Sequence, residues 1–247
     1  MTTTSDVYIS GTRDDPALRA RAAIREDTDR LLRAYQAKAA LVTELELDGA
    51  TRQEAHTRLV DFSTDQLRHH LAVTDRVLYA TAAGAPGTRL LVRALRRQQQ
   101  AVSRHIDDLV AASTTAQTTR AARAVGAVLA VCVDIEHTVL LPALAELPGA
   151  DLPSLAEELR TLLHGGELDV PEVLDVRPVP HGQRHPRIFG RYARLVPGES
   201  FVLVNNHDPK PLRREFTATH PGEFTWDYLE SGPSQWRIRI GRPAVPA

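Results

Sequence analysis

Three short strings in the last third of the chain carry residue types that could do chemistry: Arg184-His185-Pro186, His207-Asp208-Pro209-Lys210-Pro211-Leu212, and the spaced pair Trp226 and Trp236. A histidine beside a proline where a helix is expected to open offers a neutral imidazole, available as a ligand or a hydrogen-bond acceptor. Asp208, with Arg177, Arg184 and Lys210 expected at the same edge of the fold, adds one carboxylate and three cations. Two ligand classes fit this set. His185 and His207 suit a metal or a haem, whereas two helix N-termini with Arg184 and Lys210 suit a small anion. A structural account competes with both. Asp208-Pro209 is a helix-cap pattern, and both histidines could simply bond loop carbonyls.

A second set lies in the middle of the chain. At about 100° per residue, Leu59, Phe62, Ser63, Gln66, His70, Val73 and Val77 share one helix face, so His70 points inward and His69 away. Val125, Leu129, Cys132, Glu136, Val139, Leu140 and Ala143 share another, with Glu136 near its centre. A carboxylate inside an apolar stripe is costly unless it is paired, metal-bound or protonated. The expected arrangement is a buried hydrogen-bonded pair of His70 and Glu136. Cys132 is then a small core residue or a thiolate ligand, and Tyr35 adds a phenol to the same interior.

These residues need elements to position them. Residues 16–164 read as helix almost throughout, rich in Ala, Leu, Arg, Glu and Gln. Asp14-Asp15-Pro16 is a helix start. Asp48-Gly49 ends the first helix, and Thr51 to Glu54 form a capping-box pattern for the second. Gly84-Ala-Pro86-Gly87, Ser113-Thr114-Thr115 and Pro148-Gly149 mark the next boundaries, and Asp151 to His164 make a short trailing helix. Four helices of roughly 25–30 residues with short connections predict an up-down four-helix bundle. A tail over 1–15 precedes it, expected to be disordered, and a linker over 165–172 follows. Beyond the linker the period changes. Strands are expected at Val173 to Arg177, at the apolar run Phe201 to Val204, and in a hairpin alternating Phe224, Trp226, Tyr228 with Trp236, Ile238, Ile240. Helices are expected from Pro186 to Leu195 and from Leu212 to Thr219. The fold class is therefore α plus α+β: a bundle followed by a small two-layer βαβαββ sandwich over 173–242, whose tryptophans and phenylalanines are read first as core.

Two resemblances rest on these strings. Ile24-Arg-Glu-Asp27-Thr28 with Leu31-Leu32, His70-Leu-Ala-Val-Thr74 with Tyr79, and Cys132-Val-Asp-Ile-Glu136-His137 with Leu140-Leu141-Pro142 resemble the hemerythrin-like (HHE cation-binding) family over residues 16–148. That resemblance implies a di-iron or other metal centre, and a role in redox or nitrosative-stress chemistry. Here Thr28, Thr74, Gln99 and Cys132 stand at ligand positions, so only His70 and Glu136 survive, with Cys132 as a third candidate. Residues 173–242 resemble an uncharacterised domain family related to the sulfur-carrier (TusA/SirA-like) fold. The resemblance is carried by Leu174-Asp175-Val-Arg177-Pro178, the His185-Pro186 pair, Pro197-Gly198, the His207 to Leu212 string, and Trp226…Trp236. Sulfur carriers place a Cys-Pro pair where this chain has His185-Pro186, which removes the persulfide route.

Composition limits the function classes. The chain has 247 residues, 43% of them hydrophobic and 25% charged, with net charge −1. That balance argues against a nucleic-acid partner. The single cysteine excludes an intrachain disulfide and fits a cytoplasmic protein. No uninterrupted apolar run reaches the ~18–20 residues of a membrane span. No Ser/His/Asp order, phosphate loop or hydrolase signature is present. The sequence therefore predicts a cytoplasmic, non-catalytic binding or sensing protein with a metal-depleted bundle. Its C-terminal domain is expected to take a small molecule, an anion or a protein partner, and a homo-oligomer is a further expectation. An iron-binding redox protein of hemerythrin type is the alternative.

Overall fold

The structure, a computed structural model, describes residues 15–43, 48–166 and 172–244. Most of the predicted tail and linker falls outside them.

The first half is helical. α1 (Pro16–Thr43) starts where the sequence expects, with the Asp15 carboxylate accepting from the Ala17 amide at 2.8 Å. α2 spans residues 49–83 without a break. Its cap is Asp48, which accepts from the amides of Ala50 and Thr51 at 2.9 and 3.0 Å and from the Thr51 hydroxyl at 2.6 Å. The expected Thr51 to Glu54 box is thus replaced by a carboxylate three residues earlier, which adds charge–dipole attraction to the hydrogen bonds. α3 (Arg89–Val110) follows. α4 (Thr115–Glu146) opens with a Thr114–Gln117 capping box, and α5 (Leu152–Leu163) is capped by Asp151.

Three π-helical segments interrupt the α geometry: Phe62–Leu67 and Asp75–Tyr79 in α2, and Glu136–Leu140 in α4. Each changes the phase of the helix relative to a uniform wheel. Two predicted inward residues fail at these points. Gln66 is exposed while Leu67 is fully buried, and Val139 is exposed while His137 and Leu140 are buried.

α1 packs along α2, α4 and α5, and α3 packs along α4. Their apolar faces form two clusters, one around Ile24, Val77, Leu95 and Leu140, the other around Tyr35, Leu59, Ile106 and Leu129. α4 is long and apolar enough to cross a membrane by length and composition, with mean hydropathy 1.9 over its most apolar window. The expectation of no span-length stretch counted uninterrupted residues only, whereas Asp134 and Glu136 are outweighed in the average.

The C-terminal region runs β1 (Val173–Asp175), α6 (His181–Ala193), β2 (Ser200–Asn205), α7 (Lys210–Thr219), β3 (Thr225–Ser231), β4 (Trp236–Gly241). The sheet order is β1-β2-β4-β3, with β1 parallel to β2 and the other pairs antiparallel. The apolar run Phe201 to Val204 lies in central strand β2, as expected. Phe189 of α6 stacks on Phe216 of α7 at 4.4 Å, and Phe216 meets the Trp226 edge at 5.8 Å, so both helices cover one sheet face.

Both helix starts differ from expectation. α6 begins at His181, with Pro186 inside it, and α7 begins at Lys210. Pro186 removes one backbone donor near the helix start. The first turns of α6 are held instead by Arg184, described below. The two regions touch: the Ala80–Ala83 end of α2 packs on α6. A Cβ at Gly84 would come within 3.3 Å of the Phe189 side chain and 3.4 Å of the Gly190 amide, so a larger residue there would push α6 by a few tenths of an ångström.

Candidate functional site

In the helical interior the predicted pair does not form. Glu136 accepts a short hydrogen bond from the Tyr79 hydroxyl, from one π segment to another. His70 is buried, and among the described residues its Nε2 has no hydrogen-bond partner. Burial, reinforced by His69, lowers the His70 pKa to about 4, so the ring is neutral. Burial raises the Glu136 pKa to about 7 against the opposing effect of the Tyr79 bond. Tyr35 does not join the cluster, because its hydroxyl donates to the Ala122 carbonyl at 2.9 Å. Cys132 is no thiolate. Burial and then Glu136 push its thiol up to about 12, and it contacts the Gln98 Oε1 at 3.4 Å.

The other resemblance-derived ligand positions serve packing. Thr28 bonds the Ile24 carbonyl at 2.9 Å, and Gln99 bonds the Leu71 carbonyl at 3.2 Å. Thr74 is buried. Sequence reasoning missed Tyr79 as the Glu136 partner. A uniform wheel started at Leu59 puts Tyr79 on the far side of α2, and two π segments lie between them.

In the C-terminal region the predicted cations are engaged internally. Arg184 is 7% exposed. Its guanidinium donates to the Val179 carbonyl at 2.7 Å, the Arg177 carbonyl at 3.1 Å, Asn205 Oδ1 at 3.3 Å and Asn206 Oδ1 at 3.1 Å. This clamp ties α6 to the ends of β1 and β2. Arg177 forms a bidentate pair with Asp175 and donates to Gln235 at 2.8 Å. Lys210 lies 3.3 Å from Asp208. Asp208 is no helix cap: Pro209 occupies that position, and the Asp208 carboxylate accepts from the Tyr228 hydroxyl at 2.9 Å.

The histidines stand differently. His181, His185 and His207 line one recess of about 50 Å³, walled by Val176, Ile188 and Leu212. His185-Pro186 does not open α6; His185 sits one turn in from His181. The His181 and His207 rings are 6.0 Å apart. His185 Nδ1 is 2.9 Å from Glu215 Oε2, and His207 Nδ1 is 2.8 Å from Asn206 Oδ1. The Arg184 bond fixes which Asn206 atom is oxygen, since a guanidinium only donates. Both histidines therefore donate through Nδ1 and keep Nε2 for another partner. His181, Asn206 and Glu215 were missed. The signal for His181 is its spacing of four from His185, which goes unread when the helix is started at Pro186.

Among the described residues, no three His, Cys, Asp or Glu side chains as placed gather closely enough to hold a metal ion. Residues 173–242 match the family described as an uncharacterized conserved protein (DUF2249). No curated protein and no solved structure matches the chain.

Proposed function

We propose that the chain is a cytoplasmic, non-catalytic binding or sensing protein whose C-terminal recess takes one divalent transition-metal ion on His181, His185 and His207. The observation that carries this reading is the hydrogen bonding behind the imidazoles. Ligating histidines ordinarily donate their second N–H to a carboxylate or amide oxygen, which sets the tautomer and aims the free nitrogen. Glu215 and Asn206 stand in those two places. The recess is the size of an ion with little else. The competing anion reading loses its donors, because Arg177, Arg184 and Lys210 are each engaged by acceptors of the protein itself. Binding draws the exposed ring of His181 toward His185 and His207, whose Nδ1 bonds hold them in place. Zinc and copper are the ions that three imidazoles suit.

On this reading the C-terminal region is a relative of the sulfur-carrier fold that has exchanged a thiol for imidazoles. The helical region is a hemerythrin-type up-down bundle serving as scaffold, with its ligand positions given over to packing. A second reading, an iron-binding redox protein of hemerythrin type, has one observation in its favour: the bare Nε2 of buried His70.

Calorimetric titration of the full chain with zinc or copper tests the proposal. One ion per chain is expected. His207→Ala should abolish binding, and Glu215→Gln should weaken it about 10- to 100-fold by loosening His185. His70→Ala should leave the affinity unchanged. Binding lost with His70 but kept without His207 would favour the second reading.

A further inference from the structure

A cleft of about 580 Å³ lies between the helical and sheet regions, walled by the end of α2, the α4–α5 connection and one face of α6. That volume is in the range of small-molecule sites, which favour such boundaries. Arg187, Arg191 and Arg194 project from α6 at spacings of four and three, so they share a face.

Their engagement differs. Arg194 is committed: it pairs with Glu158 at 2.8 Å and donates to the Thr81 hydroxyl at 3.1 Å. Arg191 is half-buried and lies over the Phe201 ring at 5.4 Å, and among the described residues its buried Nε, like that of Arg194, has no hydrogen-bond partner. Among the described residues no carboxylate lies within ion-pair distance of Arg191 or Arg187. Two acidic groups face the cleft. Asp151 caps α5 at the Ser154 amide, and one Glu158 oxygen takes Arg194 while the other is buried with no hydrogen-bond partner among the described residues. Glu199, which attracts Arg191 from further off, accepts from the Val196 amide at 3.0 Å.

A guanidinium taken partly out of water without a counter-charge is costly. Desolvation first, then the like charges of Arg194 and Arg76, hold Arg191 below the ordinary arginine range, against the pull of Glu199 and Glu158. An anion in the cleft would relieve this.

We propose that the cleft binds a small organic anion, a phosphate ester or a polycarboxylate. Arg191 and Arg187 hold its charged group, and its body lies against Leu147, Pro148 and Val173. Because these walls belong to both regions, the bound molecule bridges them. This site is separate from the histidine recess and stands or falls independently of it.

The test is thermal unfolding of the full chain in millimolar citrate, glucose 6-phosphate or inorganic phosphate, each against sodium chloride of matched ionic strength. At least one organic anion should raise Tm by about 2–4 °C once it is at roughly tenfold its Kd. Arg191→Gln and Arg187→Gln should each weaken binding at least about tenfold, the loss of one charge-assisted contact. His207→Ala should not change it. Arg187 is exposed, so Arg187→Gln keeps the test open if Arg191→Gln does not fold. No shift beyond matched salt, a shift that survives both arginine substitutions, or an equal shift with inorganic phosphate overturns the proposal.

Discussion

Arg184→Ala should destabilise the C-terminal region by at least about 3 kcal/mol, enough to leave a sheet of four short strands largely unfolded at ambient temperature. The guanidinium is 7% exposed and serves four acceptors on two segments: the Arg177 and Val179 carbonyls after β1, and the amide oxygens of Asn205 and Asn206 at the end of β2. Removing it leaves several acceptors without a donor, at about 1–3 kcal/mol for each that water cannot reach. Arg184→Lys should recover only part of the loss, since one ammonium cannot span the set. Urea unfolding followed by tryptophan fluorescence reads this directly, because Trp226 and Trp236 both lie in this region. A midpoint within error of the parent would mean that the clamp contributes nothing. The same variant should also weaken metal binding, since Arg184 holds the Asn206 oxygen that orients His207.

Glu136→Gln is expected to stabilise the protein at pH 8 by roughly 3 kcal/mol and to change little at pH 4. The sign follows from the pKa. The carboxyl titrates near 4.5 when unfolded and near 7 when folded, raised by burial. Below 4.5 it is neutral in both states and contributes no difference. Between 4.5 and 7 the unfolded chain ionises first, so the folded state loses stability as pH rises. Above 7 the full cost is present. Glutamine cannot ionise, yet it still offers an oxygen to the Tyr79 hydroxyl. His70 acts in the opposite direction. Its folded pKa of about 4 lies below the usual 6.5, so its contribution is present above 6.5 and lost as pH falls. Comparing variant with parent at each pH cancels the His70 slope and isolates Glu136. Parallel pH curves for the two proteins would rule out an ionising Glu136 in the core.

The order of elements was legible in the sequence because punctuation and period agree locally. Asp15-Pro16, Gly84 to Gly87, Ser113 to Thr115, and the alternation around Trp226 and Trp236 each act within a few residues. The site was less legible because its geometry depends on where helices change phase. Uniform wheels misplaced Gln66 and Val139 and missed Tyr79, all of them in or next to π segments that no local propensity announces. In the C-terminal region one boundary shifted the chemistry. Starting α6 at Pro186 obscured the His181–His185 spacing and cast Arg184 as a ligand-binding residue. The structure makes Arg184 an internal clamp, two of whose four acceptors, Asn205 and Asn206, come from a strand end about twenty residues away. The expected topology put His185 and His207 at one edge of the fold, and both line the same recess. It could not say which side chains stand behind them, since Glu215 comes from a different helix.

X-ray absorption at the metal edge of the full chain, loaded with one equivalent of zinc, tests the metal-binding account most directly. The account predicts about three imidazole nitrogens at about 2.0–2.1 Å, and loss of that imidazole signature in His207→Ala. A first shell of oxygen alone, or a spectrum unchanged by His207→Ala, would contradict it.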